Sequence, residues 1–310
     1  VGFQTIANGR AHLYEIKYEN GVCTDYTIES NISISFDSND QQQVTADIQR
    51  MLSVIRQQAE AEKYSLIIGC HGTAWLPAGT YSLSELNSRA FGTGTTNFQI
   101  DNSSLVTALL NESMHLNYIL FDACFMSNIE TVYEYREVCD YFISSPTEIL
   151  AYGMPYEIMG DALLNHNYHE AVKQYYEFYS NKSTPYGTIS VTDCRYIEEM
   201  AKVIKEIRQS ANATIDIEEI QRMEGISSTV FFDFADYINM VCTDNTLRSE
   251  FNNTMRLLVP YKYHTPSFYS VFGKKAIEID SFCGLNTSEP TQHSSLTETV
   301  KQTAWYNATH

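Results

Sequence analysis

Positive charge, paired cysteines and long apolar runs are all scarce in this sequence of 310 residues. No window approaches the roughly eighteen consecutive apolar residues of a transmembrane helix, so the sequence predicts no membrane span. Lys and Arg total 20 against 38 Asp and Glu, which gives a formal net charge of −18. Such a surface repels phosphate groups, and this argues against nucleic acid or an anionic membrane as a partner. It suits cationic partners instead.

The seven cysteines are odd in number and form no Cys-x-x-Cys pair. The missing pairs argue against a zinc framework, and the odd number excludes a disulfide framework that uses every cysteine within one chain. At least one thiol is therefore free. Most free cysteines are small buried apolar residues, so a chemical role for any of them needs further evidence.

Short apolar runs of strand length alternate with helical patterns before residue 195. The predicted strands cover 64–69, 117–122, 140–144 and 187–192, and the predicted helices cover 43–61, 103–110, 127–138, 156–164 and 169–179. Because the strands are apolar along their whole length, we predict an α/β fold with a mostly parallel sheet flanked by helices on both faces. Helical patterns dominate afterwards, so we expect a core of residues 1–195 and a helix-rich C-terminal subdomain of residues 196–310 packed on it.

Two predicted strands end in residues that can carry acid–base or nucleophilic chemistry. Strand 64–69 leads into His71 and Gly72, and strand 117–122 leads into Cys124. Sites in open α/β sheets form beyond the carboxyl ends of parallel strands, so we expect His71 and Cys124 to share one edge of the sheet. A thiolate facing an imidazole is the minimum apparatus for attack on an acyl carbon. Their separation is close to the about 50 residues between the His and Cys of caspases.

The residues around the candidate nucleophile carry two further predictions. Ser127 and Glu130 match the S-x-x-E capping box, which predicts a helix that begins at Ser127. Unpaired N–H groups and the dipole of that helix would favour a thiolate at Cys124. Asp122, two positions before Cys124 on the same strand, should point to the same face, at the floor of a substrate pocket. The alternative is that Asp122 caps a neighbouring loop or the helix.

The two strand-end segments resemble one known family. Ile67-Ile-Gly-Cys-His-Gly-Thr-Ala-Trp-Leu-Pro77 resembles the HG-x-G-W signature of the clostripain family of cysteine peptidases, with Ala74 in place of the second Gly. Ile119-Leu-Phe-Asp-Ala-Cys-Phe-Met126 resembles the segment that contains the family's nucleophile. Further similarities lie at 89–92, 143–148, 153–156, 187–193 and 304–306. The resemblance therefore covers most of the chain.

The resemblance implies a caspase-like fold, which gingipains and legumain share, and a catalytic dyad of Cys124 and His71. It also implies an oxyanion hole formed by the backbone N–H groups of Gly72 and Cys124, and a basic P1 side chain bound by Asp122. Pro155 stands where several arginine-specific members carry Asp, so we expect cleavage after Arg or Lys. The family's first strand, with its Tyr-x-x-Ala-x-Asn pattern, is not found, and we expect it to precede the first residue.

We therefore expect a secreted, periplasmic or surface-exposed cysteine endopeptidase that acts as a monomer on basic proteins or peptides. Residues 1–10 have neither a basic nor an apolar region, so a signal peptide is not expected in this chain. No cofactor or metal is expected from the residues. The resemblance allows calcium, but the sequence identifies no ligands for it. Arg89, the single basic residue of the polar loop 80–96, is a candidate autoprocessing site by the same resemblance.

Two alternatives remain open at this point. One is a catalytically silent module that keeps a peptidase fold and binds basic peptides at the cell surface. The other is a transpeptidase, because an amine can capture the thioester intermediate in place of water.

Overall fold

The computed structural model describes residues 2–6, 10–34, 40–77, 91–92, 99–210, 215–225, 229–271 and 273–310. The strands are β1 (Gly2–Ile6), β2 (Arg10–Glu19), β3 (Val22–Ser33), β4 (Tyr64–Gly69), β5 (Phe91–Gly92), β6 (Gln99–Ile100), β7 (Leu116–Asp122), β8 (Cys139–Ser144), β9 (Thr188–Asp193), β10 (Phe232–Asp233), β11 (Tyr261–His264), β12 (Ser267–Ser270), β13 (Lys275–Glu278) and β14 (Asn286–Thr287). The helices are α1 (Gln41–Gln58), α2 (Asn102–Asn111), α3 (Ile129–Glu134), α4 (Tyr156–Leu164), α5 (Tyr168–Ser180), α6 (Ile197–Ser210), α7 (Phe234–Val241), α8 (Asn245–Leu258) and α9 (Ala304–Thr309).

A five-stranded sheet in the order β11-β9-β8-β7-β4 forms the centre of the fold. β4, β7 and β8 pair in parallel, while β9 is antiparallel to both β8 and β11. Four of the five strands thus run in one direction, which confirms the predicted mostly parallel sheet. β9 runs the other way because two helices, α4 and α5, connect it to β8. Each helix reverses the direction of the chain, so β9 begins at the end of the sheet where β8 finishes and runs antiparallel to β8.

Side chains that alternate along β7 pack into two different hydrophobic clusters. Ile119 and Phe121 contact the cluster that also holds apolar residues of α1, α2, α6 and α8. Tyr118 and Leu120 contact the cluster formed with α4 and α5. Helices therefore cover both faces of the sheet, as its continuous apolar strands predict.

The other strands form small antiparallel sheets: β1-β2-β3, β5-β6, β10-β14 and β12-β13. The turn between β2 and β3 is Asn20-Gly21, whose φ values of 54° and 81° suit these two residue types. β11, from the last third of the chain, is an edge strand of the central sheet. The division into a core and a subdomain at residue 195 stays a prediction. None of the helices in the described ranges has both the length and the apolar character that crossing a bilayer requires.

We predict that the aromatic centre of the sheet carries a large share of the stability. Phe121 is fully buried and lies 5.4 Å from the ring of Phe142, centroid to centroid. Phe121→Ala should lower the free energy of unfolding by about 3–5 kcal/mol, because it leaves a cavity in a close-packed core. Leu110→Ala, on the exposed side of α2, is the control and should change it by less than about 0.5 kcal/mol. Chemical denaturation of the two variants measures both values, and equal effects would contradict the prediction.

Candidate active site

The ends of β4 and β7 lie side by side. Gly69 is the register partner of Asp122, and the backbone N–H of Cys70 donates to the carbonyl oxygen of Asp122 at 3.2 Å. His71 and Cys124 each follow two residues after these partners. They therefore leave the sheet at the same edge, as the strand-end patterns predict.

Gly72 packs directly against the backbone of the nucleophile segment. A Cβ at residue 72 would lie 2.5 Å from the carbonyl oxygen of Cys124 and 3.0 Å from the Cβ of Ala123. Because a backbone atom cannot give way as the end of a side chain can, only glycine fits here. This contact brings the loop after β4 onto the loop after β7.

Two buried hydrogen bonds hold the loop that follows Gly72. The indole N–H of Trp75 donates to Ser288 Oγ at 2.8 Å, and the side-chain amide of Asn102 donates to the carbonyl oxygen of Ala74, also at 2.8 Å. Ala74 has a φ of 57°, the left-handed region that favours glycine. This explains why the resembling signature has Gly at that position.

The nucleophile segment is tied to the loop after β8. The backbone N–H of Phe125 donates to the carbonyl oxygen of Thr147 at 3.0 Å, and that of Ser127 donates to Ser145 at 3.0 Å. Phe125 has a φ of 62°, so the chain turns sharply immediately after Cys124. These contacts fix the backbone that carries the thiol.

The predicted capping box at Ser127 is wrong. The N-cap of α3 is Asn128, whose side-chain oxygen accepts from the N–H of Thr131 at 2.8 Å. The Ser127 hydroxyl instead bonds to Ser190 at 3.0 Å, and Glu130 accepts from Thr287 Oγ1 at 2.6 Å. Both side chains are buried, and Glu130 also accepts from the side-chain amide of Asn128, so neither makes the reciprocal backbone bonds of a capping box at Ser127.

The surroundings of Cys124 in the structure do not favour the expected thiolate. Burial raises the pKa of Cys124 to about 12, and the charges of Glu148 and Asp122 act in the same direction. The backbone N–H of Ile149 donates to Sγ at 3.3 Å, and this lowers the pKa only in part. The helix that was expected to favour the thiolate is only six residues long and begins five residues after Cys124. Together these causes favour the protonated thiol at neutral pH.

His71 is exposed. It follows β4, which pairs with β7, the strand that Cys124 follows. Within the described part of the chain, the thiol group also contacts the carbonyl oxygen of Ile149, at 3.8 Å, and has no hydrogen bond to the imidazole. Catalytic hydrogen bonds are often long without substrate and shorten when it binds. The arrangement brings the two groups to one edge of the sheet.

Asp122 lies on the face of β7 that alternation predicts. Its Oδ2 accepts from the backbone N–H of Met154 at 3.1 Å and from the hydroxyl of Tyr156 at 3.1 Å. Burial and the adjacent Asp122 charge raise the pKa of Tyr156, so its hydroxyl stays a proton donor. Gly153, with a φ of 62°, allows the close approach, since a Cβ there would lie 3.1 Å from Oδ2. Asp122 thus also holds the loop before α4, as the alternative interpretation proposes.

Sequence patterns miss three residues that act on the thiol or the acid: Ile149 and Tyr156 through hydrogen bonds, and Glu148 through its charge. Ile149 acts through its backbone, so its side chain carries no signal. Tyr156 and Glu148 are the last residues of two segments that resemble the family. Membership of those segments was the sequence signal that could have identified them. Arg89 lies outside the described residues. Among those that are described, no three His, Cys, Asp or Glu side chains could together hold a metal ion, and calcium binding stays a prediction.

The chain matches the model of the clostripain family over residues 8–280. A secreted C11 cysteine protease from Bacteroides thetaiotaomicron, iotapain, is similar in structure, with 34% identity and a TM-score of 0.90. That similarity covers 99% of this chain and 87% of iotapain. No protein with a curated description matches the chain.

Two other solved structures are also similar. A clostripain from Bacteroides thetaiotaomicron in complex with the peptide inhibitor BTN-VLTK-AOMK has 38% identity and a TM-score of 0.68, over 71% of this chain and 99% of its own. An inactive zymogen of a C11 protease from Parabacteroides distasonis has 27% identity and a TM-score of 0.82, over 99% of this chain and 86% of its own.

The contact between Gly72 and the Cys124 backbone generates the first prediction for the site. We expect Gly72→Ala to reduce kcat/KM for a peptide substrate by about 100-fold or more, because the added methyl group forces the two loops apart. Gly160→Ala is the matched control, since a Cβ at residue 160 meets nothing within 4 Å. Circular dichroism checks that both variants fold. Wild-type activity in Gly72→Ala would show that the two loops are not in contact.

The raised pKa of the thiol generates a prediction about pH. Only the thiolate reacts with iodoacetamide, and the pKa of Cys124 is about 12. Its alkylation rate should therefore rise about tenfold per pH unit from about pH 7 to about pH 10, without a plateau. Mass spectrometry follows the modified peptide, with the exposed Cys23 as an internal reference for the reagent. A plateau already at neutral pH would mean that the free protein holds a thiolate.

Proposed function

This chain belongs to the clostripain family of cysteine proteases, and from that premise we propose that it cleaves peptide bonds after Arg or Lys with Cys124 and His71 as its catalytic dyad. It is a hydrolase, and its substrates are expected to be proteins or peptides. The observation that carries the proposal is the register of Gly69 with Asp122 on adjacent parallel strands. It supports a common position for the two dyad residues beyond one edge of the sheet.

The raised pKa of Cys124 determines how the first step proceeds. The thiol is protonated before substrate binds, so His71 acts as a general base as Sγ attacks the scissile carbonyl carbon. The proton moves from sulfur to the imidazole, and the carbonyl oxygen becomes an oxyanion. The imidazolium then protonates the leaving amine as the C–N bond breaks, which leaves a thioester on Cys124.

Water completes the reaction. His71 takes a proton from the water as the water oxygen attacks the thioester carbon. The imidazolium returns that proton to sulfur as the C–S bond breaks, which releases the carboxylic acid and restores the Cys124 thiol and the neutral imidazole. The backbone N–H groups of Gly72 and Cys124 are proposed to stabilise the oxyanion in both steps. The tight contact of residue 72 with the Cys124 carbonyl supports this role, since it brings the two backbone segments together.

Specificity for a basic P1 residue is proposed to come from Asp122. Its carboxylate is half-buried, lies on the strand that carries the nucleophile and is held by the loop that also contacts the thiol. A similar protein is in complex with the peptide inhibitor BTN-VLTK-AOMK, in which Lys directly precedes the AOMK group, and this supports a basic P1 residue. The net charge of −18 would attract cationic peptides, an effect that salt weakens.

Further properties are proposed from the similar proteins. Iotapain is secreted, and we propose secretion for this chain as well. The structure from Parabacteroides distasonis is an inactive zymogen, which supports activation by cleavage, with Arg89 as the candidate site. We also propose that the protein acts as a monomer.

The dyad is tested by two substitutions. Cys124→Ala and His71→Ala should each lower kcat/KM for a peptide with P1 Lys or Arg by roughly 10⁴-fold or more, because each removes one member of a unit that acts together. Cys23→Ala and His115→Ala are the matched controls, since both residues are exposed and lie away from this edge.

A folded Cys124→Ala protein with near wild-type turnover would exclude the thiol mechanism. If the wild type shows no turnover but binds basic peptides, the catalytically silent module is favoured instead. Product analysis with an added amine nucleophile separates hydrolysis from transpeptidation.

A further inference from the structure

The two oxygens of the Asp122 carboxylate differ in their hydrogen bonds. Oδ2 accepts from the Met154 N–H and from the Tyr156 hydroxyl, each at 3.1 Å. Oδ1 accepts no hydrogen bond from any described residue. It is also not one of the fully buried polar atoms that lack a hydrogen-bond partner in the described part of the chain. Oδ1 is therefore open to solvent, while both lone pairs of Oδ2 are already used.

The orientation of the carboxylate is fixed by its surroundings. Gly153 lies so close that a Cβ there would be 3.1 Å from Oδ2, and the hydroxyl of Tyr179 donates to the carbonyl oxygen of Gly153 at 2.9 Å. Met154 is buried, so its N–H is held in place. A rotation that exposed both oxygens would break two hydrogen bonds to a charged group, and such bonds are the stronger ones in proteins.

We propose that Tyr156 makes Asp122 a one-oxygen acceptor and that the enzyme therefore prefers Lys to Arg at P1. This inference rests on the proposed function, in which Asp122 binds the P1 side chain. The guanidinium of Arg binds carboxylates best through two parallel N–H bonds, one to each oxygen. The ammonium of Lys is a point charge that a single oxygen and water can satisfy. Tyr156 is thus a positioning residue that determines specificity through Asp122.

The size of the preference follows from the bond that Arg cannot form. One hydrogen bond to a charged group corresponds to roughly a 10- to 100-fold change in an equilibrium constant. Lys makes its single bond in full, whereas Arg leaves one N–H of its fork facing the occupied Oδ2 without an acceptor, and leaving a donor unsatisfied has a cost of its own. We therefore expect the wild type to favour Lys over Arg by about 10-fold in kcat/KM.

The test compares three peptides that are identical except for Lys, Arg or norleucine at P1. Tyr156→Phe removes only the hydroxyl and frees one lone pair of Oδ2, so the Lys:Arg ratio of kcat/KM should fall from about 10 to about 1. Tyr152→Phe is the matched control. Its ring packs near Phe178 and Tyr179 in the same region, and the ratio should remain at the wild-type value. The ratio compares two substrates on one enzyme, so a lower folded fraction cannot change it.

Asp122→Asn distinguishes failure of this inference from failure of the proposed specificity. If Asp122→Asn keeps the wild-type preference for Lys over norleucine, Asp122 does not bind P1 and both ideas fail. If that preference is lost but Tyr156→Phe leaves the Lys:Arg ratio unchanged, only the role of Tyr156 is overturned. A wild type that cleaves after Arg as fast as after Lys also overturns it.

Discussion

The parallel pairing of β4 with β7 is the constraint on which the rest of the structure depends. Gly69 lies opposite Asp122 in this pair, and the dyad residues follow each strand by two positions. A slip by one residue would turn Phe121 out of its aromatic contacts with Phe142 and would place Asp122 among them. The apolar burial that stabilises the sheet therefore also determines where the acid and the thiol lie.

A single segment between β8 and α4, residues 145–155, contacts both the thiol and the acid. Its own position depends on buried polar contacts. The carboxylate of Glu148 accepts from the hydroxyl of Ser270 at 3.0 Å and from the backbone N–H of Val271. Because these two residues belong to the end of β12 and its turn, the last part of the chain stabilises the loop whose Ile149 amide contacts the thiol. The geometry of the site thus depends on segments that are more than 100 residues apart in the sequence.

The apolar runs could be located from the sequence alone, and the rule for parallel strand ends then brings His71 and Cys124 to one edge. Contacts between distant segments could not be found in this way. The amide of Ile149 is a backbone group that any residue could supply, so no pattern marks it. The capping box at Ser127 matched its local motif, but burial against Ser190 gave its hydroxyl another partner. Burial of the Cys124 thiol, which a local sequence pattern likewise does not report, is what favours its protonated form.

The electrostatics of the thiol connect substrate choice with reactivity. The charges of Glu148 and Asp122 raise the pKa of Cys124 beyond the effect of burial. In the proposed function, a basic P1 side chain neutralises the Asp122 charge when the substrate binds, so the occupied site loses a proton from sulfur more easily than the empty one. A neutral P1 residue leaves both charges in place and gives no such help. Selectivity for basic residues then has two sources, the contact with Asp122 and the increased reactivity of the thiol that this contact produces.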